Sequence, residues 1–171
     1  MNTLALAAVG GLSLTLLVAT ISVADDDNHN GYKRPKRLAL PSDAPLLWKE
    51  ECAACHMLYV PALLPAEAWR QQMQTLEQHY GSNASLDAQQ AREILDFLLR
   101  SSAANRLPVE PSATAGEPPR ISQTRWFAHK HDEVSAATFQ RAAVGSRANC
   151  VACHHGAERG NFDEDRVEIP R

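Results

Sequence analysis

The chain lacks a surplus of charge of either sign and, after its first 24 residues, lacks any long apolar run. Its 17 Lys and Arg side chains nearly balance its 20 Asp and Glu side chains, which leaves a formal net charge of −3. Basic side chains cluster only at residues 33–37. Without a broad basic surplus, nucleic acid is not expected as a partner. Without a second apolar run of about 20 residues, no further helical membrane span is expected.

The first 24 residues contain no charged side chain and form the long apolar run. The run ends in the small residues Ser22–Ala24, and three aspartates follow at once. This pattern is typical of a secretory signal peptide, so we expect cleavage after Ala24 and a periplasmic protein with no stable membrane insertion. The absence of Lys and Arg before the run leaves an uncleaved membrane anchor as the alternative. A polar segment, residues 25–41, comes next.

Cysteine is scarce, and all four cysteines belong to one repeated motif. Cys52-Ala-Ala-Cys55-His56 and Cys150-Val-Ala-Cys153-His154 are both C-x-x-C-H, the attachment signature of c-type haem. Two thiols three residues apart on a helical turn face the same way, so they can form thioethers with both vinyl groups of one porphyrin. The next residue then brings its imidazole to the iron as an axial ligand. The sequence therefore predicts two covalently bound haem c groups.

Three other uses of four cysteines compete with haem attachment. Two disulfides would suit an exported chain, but they give no reason for His after the second Cys in both motifs. A zinc site would have to join two pairs that lie nearly a hundred residues apart. A thioredoxin-like redox motif requires a βαβ context, which the sequence does not show. Haem attachment explains all six motif residues.

Helical patterns surround the first motif. Ser42 and Asp43 are candidate N-caps for a helix that runs into the motif. A second helix is predicted from Pro65 to Tyr80, because Trp69, Met73, Leu76 and His79 recur at helical spacing. Gly81 is expected to end this helix in a left-handed conformation. A third helix, capped by Ser85, is predicted from Leu86 to about Ser101, with Ala91, Ile94, Leu95, Leu98 and Leu99 on its buried side.

The pattern predicts a mainly α fold with two haem domains. Residues 42–103 form the N-terminal haem domain. Residues 104–120 contain four prolines and few apolar side chains, and they are predicted to be a semi-rigid linker. Residues 121–171 form a C-terminal haem domain with little regular patterning, apart from a short helix within residues 134–144. Because so short a segment has little apolar area of its own, its core depends on the porphyrin.

Each haem iron needs a second axial ligand, which is normally His or Met in an electron-transfer haem. For the first haem, His79 lies at the end of the helical stripe and is favoured over Met73 and Met57. For the second haem, spacing alone does not choose between His129 and His131. The remaining histidines, His29 and His155, are not expected to bind iron.

Two His–His irons are fully coordinated and low in reduction potential, which indicates electron transfer and no catalysis. The alternative function is a dihaem peroxidase, which needs one haem with an open or releasable ligand. A third hypothesis, a haem-based sensor, lacks a signalling domain after the second motif.

Several blocks of the sequence together resemble a known family. They are Glu51–Met57, Leu63–Pro65, His79–Leu86, Ala148–His154, Gly156–Gly160, Phe162 and Ile169–Arg171. Through them, nearly all of residues 42–171 resembles the bacterial dihaem cytochrome c (DHC) family. The resemblance implies an N-terminal domain similar to class I cytochromes c and a small, irregular C-terminal domain that wraps its haem.

The resemblance also implies His–His ligation of both haems, with His79 and His131 as the distal ligands. His155 departs from the family pattern, in which a small or polar residue is more usual. The partners that the family implies are a small oxygen-binding monohaem cytochrome c as electron acceptor and a membrane b-type cytochrome as donor.

Overall fold

The computed structural model describes residues 38–103, 107, 110 and 117–171. The predicted signal peptide, most of the polar segment after it and most of the Pro-rich linker lie outside the described residues. Within the described ranges the chain forms five α-helices and several short 3₁₀ turns, with no named strand. The expected mainly α architecture is therefore confirmed. No helix in this part of the chain has the length and apolarity needed to cross a membrane.

Helix α1 (Leu46–Ala53) leads into the first motif, as predicted, but it is not capped by a side chain. Its N-cap is Pro45, whose ψ of 143° is non-helical. The prediction that Ser42 or Asp43 caps this helix was wrong, because the proline delays the first helical residue to position 46.

Helix α2 (Ala66–Gln74) begins after Pro65 but ends well before the predicted Tyr80. The hydroxyl of Thr75 donates a hydrogen bond to the Gln71 carbonyl at 2.9 Å, and Thr75 leaves the helical region with φ −121°. Such bonding from a β-branched residue to the preceding turn competes with helix continuation. A 3₁₀ turn (Leu76–Gln78) follows, so His79 lies in a turn and not on a helix.

Helix α3 (Ala88–Ser101) starts two residues later than predicted, and its cap is Asp87 instead of Ser85. The Asp87 carboxylate accepts hydrogen bonds from the backbone N–H groups of Gln89 and Gln90 at 2.8 and 2.9 Å. The Gln90 side chain accepts in return from the Asp87 backbone N–H, which completes a capping box.

Helices α1 and α3 pack against each other through an apolar cluster of side chains. Trp48 and Phe97 place their ring centroids 4.8 Å apart at an angle of 50°, and Ile94 and Leu98 complete the buried face. The predicted buried face included Leu95, which is only half-buried, and omitted Phe97, which is fully buried.

A second apolar cluster joins the two halves of the chain. Buried residues Val60–Leu63 pack against Ile121, Trp126 and Phe162. The C-terminal half also contains helices α4 (Arg125–Lys130) and α5 (Ala136–Phe139), capped by the side chains of Thr124 and Ser135. The short helix expected within residues 134–144 is thus present, and the contact between the halves was not anticipated.

One glycine marks a close approach of the C-terminal segment to the N-terminal one. Gly160 has φ +77°, and a Cβ built on it would lie 2.6 Å from the Leu38 carbonyl oxygen. Only glycine combines this left-handed conformation with so short a distance between backbones.

Candidate functional site

The two C-x-x-C-H motifs open onto two adjacent cavities. The first cavity has a volume of about 580 Å³ and is lined by side chains that include Cys52, Cys55, His56, Tyr59, His79 and Arg120. This volume lies within the range of about 300–1,000 Å³ that is usual for cofactor sites. The second cavity is narrower, about 70 Å³, and is lined by His131, Cys153, His154 and the tail residues Val167 and Ile169. This second volume lies below the usual range for a cofactor site, so a macrocycle there requires the lining to open.

In the first motif, α1 supplies Cys52 on its last turn, and Cys55 and His56 follow in the turn after the helix. The His56 ring faces the His79 ring, with the ring centroids 6.3 Å apart. Nδ1 of His56 donates to the Met57 carbonyl at 2.6 Å, which leaves its Nε2 free for a metal. Nδ1 of His79 is buried without a hydrogen-bond partner in the described part of the chain. The sequence-predicted ligands His56 and His79 therefore share one cavity.

Contacts of the next residue, Tyr80, stabilise the turn that presents His79. Tyr80 adopts φ +50°, a conformation that costs free energy in a residue other than glycine. The guanidinium of Arg120 stacks 3.7 Å from its ring centroid, and Gln72 donates to its hydroxyl at 2.5 Å. That hydroxyl also donates to the Pro118 carbonyl at 3.2 Å. Contacts from the second half of the chain thus stabilise the strained turn beside His79.

The second motif lies on a 3₁₀ turn (Cys150–Ala152) that continues into Cys153 and His154. His154 faces His131 with the ring centroids 6.0 Å apart. Nδ1 of His131 donates to the Phe127 carbonyl at 2.9 Å, and the His131 ring stacks on Phe127 at 4.0 Å. These contacts fix the orientation of the His131 ring and leave its Nε2 available to a metal.

Two ring pairs at this separation fit a metal ion between them. An ion bonded to two imidazoles, each at about 2 Å from a nitrogen, separates the ring centroids by roughly 6 Å. Nδ1 of His154, like that of His79, is buried without a hydrogen-bond partner among the described residues. A thiol pair, two facing imidazoles and an apolar lining match the chemistry of a covalently held haem in both cavities.

Burial favours the neutral form of three of the site imidazoles, those of His79, His131 and His154. Burial lowers the pKa of His79, and the nearby His56 and Arg120 lower it further. Burial likewise lowers the pKa of His131 and of His154. A neutral imidazole is the form that binds a metal, because a protonated ring has no free lone pair.

All four thiols are free of disulfide bonds in the structure. Burial, together with the Glu51 carboxylate, raises the pKa of Cys52 to about 11. Burial also raises the pKa of Cys150 and Cys153. Within the described ranges no three His, Cys, Asp or Glu side chains converge on a possible metal position.

Of the other candidate ligands in the described residues, Met73 lines the first cavity, and Met57, His129 and His155 line neither cavity. His129 is exposed on α4, whereas His131 is half-buried at its end. His155 is exposed and lies 3.3 Å from the Glu168 carboxylate. Met73 packs against the α1–α3 cluster while its side chain lines the first cavity. His29 lies outside the described residues.

Sequence reasoning missed four further side chains that line the first cavity, all of them aromatic or basic. All four lie in loops or turns of the structure. They are Tyr59, Tyr80, Arg120 and Arg147.

Comparison with known proteins gives a consistent result. The family model "Dihaem cytochrome c" matches residues 48–162. A diheme cytochrome type c from Shewanella baltica OS155, solved by X-ray crystallography, is 38% identical, with a TM-score of 0.63 over 74% of this chain and 95% of that one. A crystal structure of DHC purified from Rhodobacter sphaeroides is 42% identical, with a TM-score of 0.58 over 72% and 99% of the two chains. No curated protein sequence matches significantly.

Proposed function

The chain belongs to the dihaem cytochrome c family, and from that membership we propose that it carries electrons between redox partners in the periplasm. Family membership and the related structures imply two haem c groups. We further propose that each haem has two histidine ligands, His56 with His79 and His154 with His131. Haem iron supplies one-electron redox chemistry when it is held in this way.

The observation that supports His–His ligation is the spacing of the two ring pairs. Their centroids lie 6.3 and 6.0 Å apart, close to the separation that one shared metal ion requires. With both axial positions filled by protein, no position is left for a substrate. This favours a carrier over the alternative function, a dihaem peroxidase, which needs a releasable ligand.

The remaining parts of the proposal concern organisation and partners. We propose a class I-like haem domain at residues 42–103, a Pro-rich linker at 104–120 and a haem-wrapping domain at 121–171. The signal-like sequence of residues 1–24 supports export to the periplasm. The proposed partners are a membrane b-type cytochrome as donor and a small oxygen-binding monohaem cytochrome c as acceptor, docked through small, transient interfaces.

Absorption and magnetic resonance spectra of the purified, haem-loaded protein test the ligation. Two low-spin haems that bind carbon monoxide only weakly when reduced are expected for the carrier. Ready binding of carbon monoxide or peroxide at one haem would favour the peroxidase instead.

Two matched variants of neighbouring histidines test the second ligand directly. His131→Ala should convert one of the two haems to a high-spin or ligand-exchanged form, because its ring faces His154. His129→Ala removes an exposed imidazole from the same helix terminus and should leave both spectra unchanged. The reverse result would exchange the two assignments.

A further inference from the structure

The two cavities share part of their wall. Four side chains line both of them: Ile121, Phe127, Arg147 and Cys150. Only one of the four, Arg147, carries a charge. It lies three residues before Cys150 in an exposed loop between Gly145 and Asn149. A single guanidinium therefore stands where the two sites meet.

Hydrogen bonds hold the loop that carries Arg147 at this junction. Tyr59, from the segment just after the first motif, donates its hydroxyl to the Ala148 carbonyl at 2.9 Å. On the other side, the Asn149 side chain donates to the Val144 carbonyl at 2.8 Å. The Tyr59 hydrogen bond joins the loop to the first site, and the Asn149 hydrogen bond joins it to the buried cluster of the second site. The position of Arg147 between the sites is thus built into the fold.

The guanidinium of Arg147 rests on aromatic rings and has no carboxylate partner among the described residues. Its central carbon lies 5.3 Å from the Phe127 ring centroid and 5.0 Å from that of Phe139. The other guanidinium that lines the first cavity, Arg120, is already paired with Glu117 at 3.1 Å. The N–H donors of the Arg147 guanidinium are therefore available to a carboxylate of the cofactor.

We propose that Arg147 binds a propionate carboxylate of haem at the junction, and that its charge favours the reduced state of both haems. This inference rests on the proposed occupancy of both cavities by haem. A guanidinium presents parallel N–H donors that match the two oxygens of a carboxylate. Reduction adds one negative charge to each site, and a cation in their common wall stabilises that added charge at both.

Redox titration of the haem-loaded protein tests the proposal. In Arg147→Gln, both reduction equilibrium constants should fall by about threefold each, about 30 mV for a one-electron couple. Arg147→Lys keeps the charge and should leave both potentials near those of the parent. Arg147→Met removes the charge but keeps the packing on Phe127 and Phe139, so it should repeat the effect of Gln even if the Gln variant folds poorly.

Arg100→Gln is the matched control, because Arg100 also lies over a phenylalanine ring, at 5.2 Å from the Phe97 centroid, but lines neither cavity. Its potentials should not change. A shift at one haem only, no shift, or an equal shift in Arg100→Gln would overturn the proposal. Absorption spectra of the same samples count the haems and report their ligands, so failure of the proposed function would be seen separately.

Discussion

Removing one oxygen atom, that of the Tyr80 hydroxyl, should destabilise the turn that carries His79. Tyr80→Phe keeps the ring over which Arg120 stacks at 3.7 Å and deletes the hydroxyl that bonds Gln72 and the Pro118 carbonyl. The backbone strain at φ +50° then remains, while part of what stabilises it is gone. We expect the variant to fold and to hold both haems, with His79 less firmly placed.

The size of the effect follows from the hydrogen bonds that are lost. Tyr80 accepts one hydrogen bond at 2.5 Å and donates another at 3.2 Å, and Gln72 keeps a second acceptor, the Pro119 carbonyl at 2.9 Å. A net loss of about 1–2 kcal/mol is reasonable for such a change. If that free energy holds His79 in its liganding position, the fraction of molecules in which His79 is off the iron rises by about five- to thirtyfold.

Carbon monoxide binding to the reduced protein measures that population, because the gas binds an iron only when an axial ligand has left. Tyr80→Phe should bind it about five- to thirtyfold more tightly at one haem than the parent does. Ser102→Ala is the matched control, since it also removes a hydroxyl-to-carbonyl hydrogen bond, to Leu99 at 2.8 Å, at a residue that lines neither cavity. Equal affinities in the parent and Tyr80→Phe, or an equal gain in Ser102→Ala, would refute the reasoning.

Three further predictions concern the apolar core, a close approach of two backbone segments and the ligand of the first haem. Phe97→Ala should lower the free energy of unfolding by about 3–5 kcal/mol in urea titrations, because Phe97 is fully buried. Leu46→Ala, at a side chain 68% exposed, should change the free energy of unfolding by less than about 0.5 kcal/mol. Similar losses in the two variants would contradict the assigned core. Gly160→Ala should lower the melting temperature far more than Gly81→Ala. Both glycines have positive φ, but only a Cβ at position 160 would lie close to backbone, 2.6 Å from the Leu38 carbonyl oxygen. Equal shifts in melting temperature would contradict that close approach. His79→Met should raise the potential of one haem in a redox titration, and unchanged potentials would remove His79 from the ligand set.

The parts of the site that could be predicted from sequence are those with fixed local spacing. Cys and His in C-x-x-C-H stand together along the chain, so their chemistry is evident before any fold is known. His79 was also named from the sequence, but for a reason that the structure does not support. It was expected at the end of a helix, and it lies in a turn after α2 has ended at Gln74.

The side chains that sequence reasoning missed depend on contacts over long separations. Tyr59 reaches Ala148, 89 residues away, and Tyr80 reaches Pro118, 38 residues away. No periodicity in one sequence indicates such pairs, because they depend on how the two halves pack. The cap of α3 was missed for a local reason. Ser85 and Asp87 are both good N-cap residues, and only Asp87 has a glutamine three residues later to complete the box.

The common wall has a consequence for how such a protein can be altered by recombination. A fragment that stopped at Ser101 would keep the first motif and His79 but would lose Ile121, Phe127 and Arg147 from the lining of its cavity. A chimera that joins the first half of this chain to the second half of a relative would have to match those lining positions as well as the two motifs. The two sites thus depend on the same side chains, and crossover points that keep this lining intact lie outside the paired cavities.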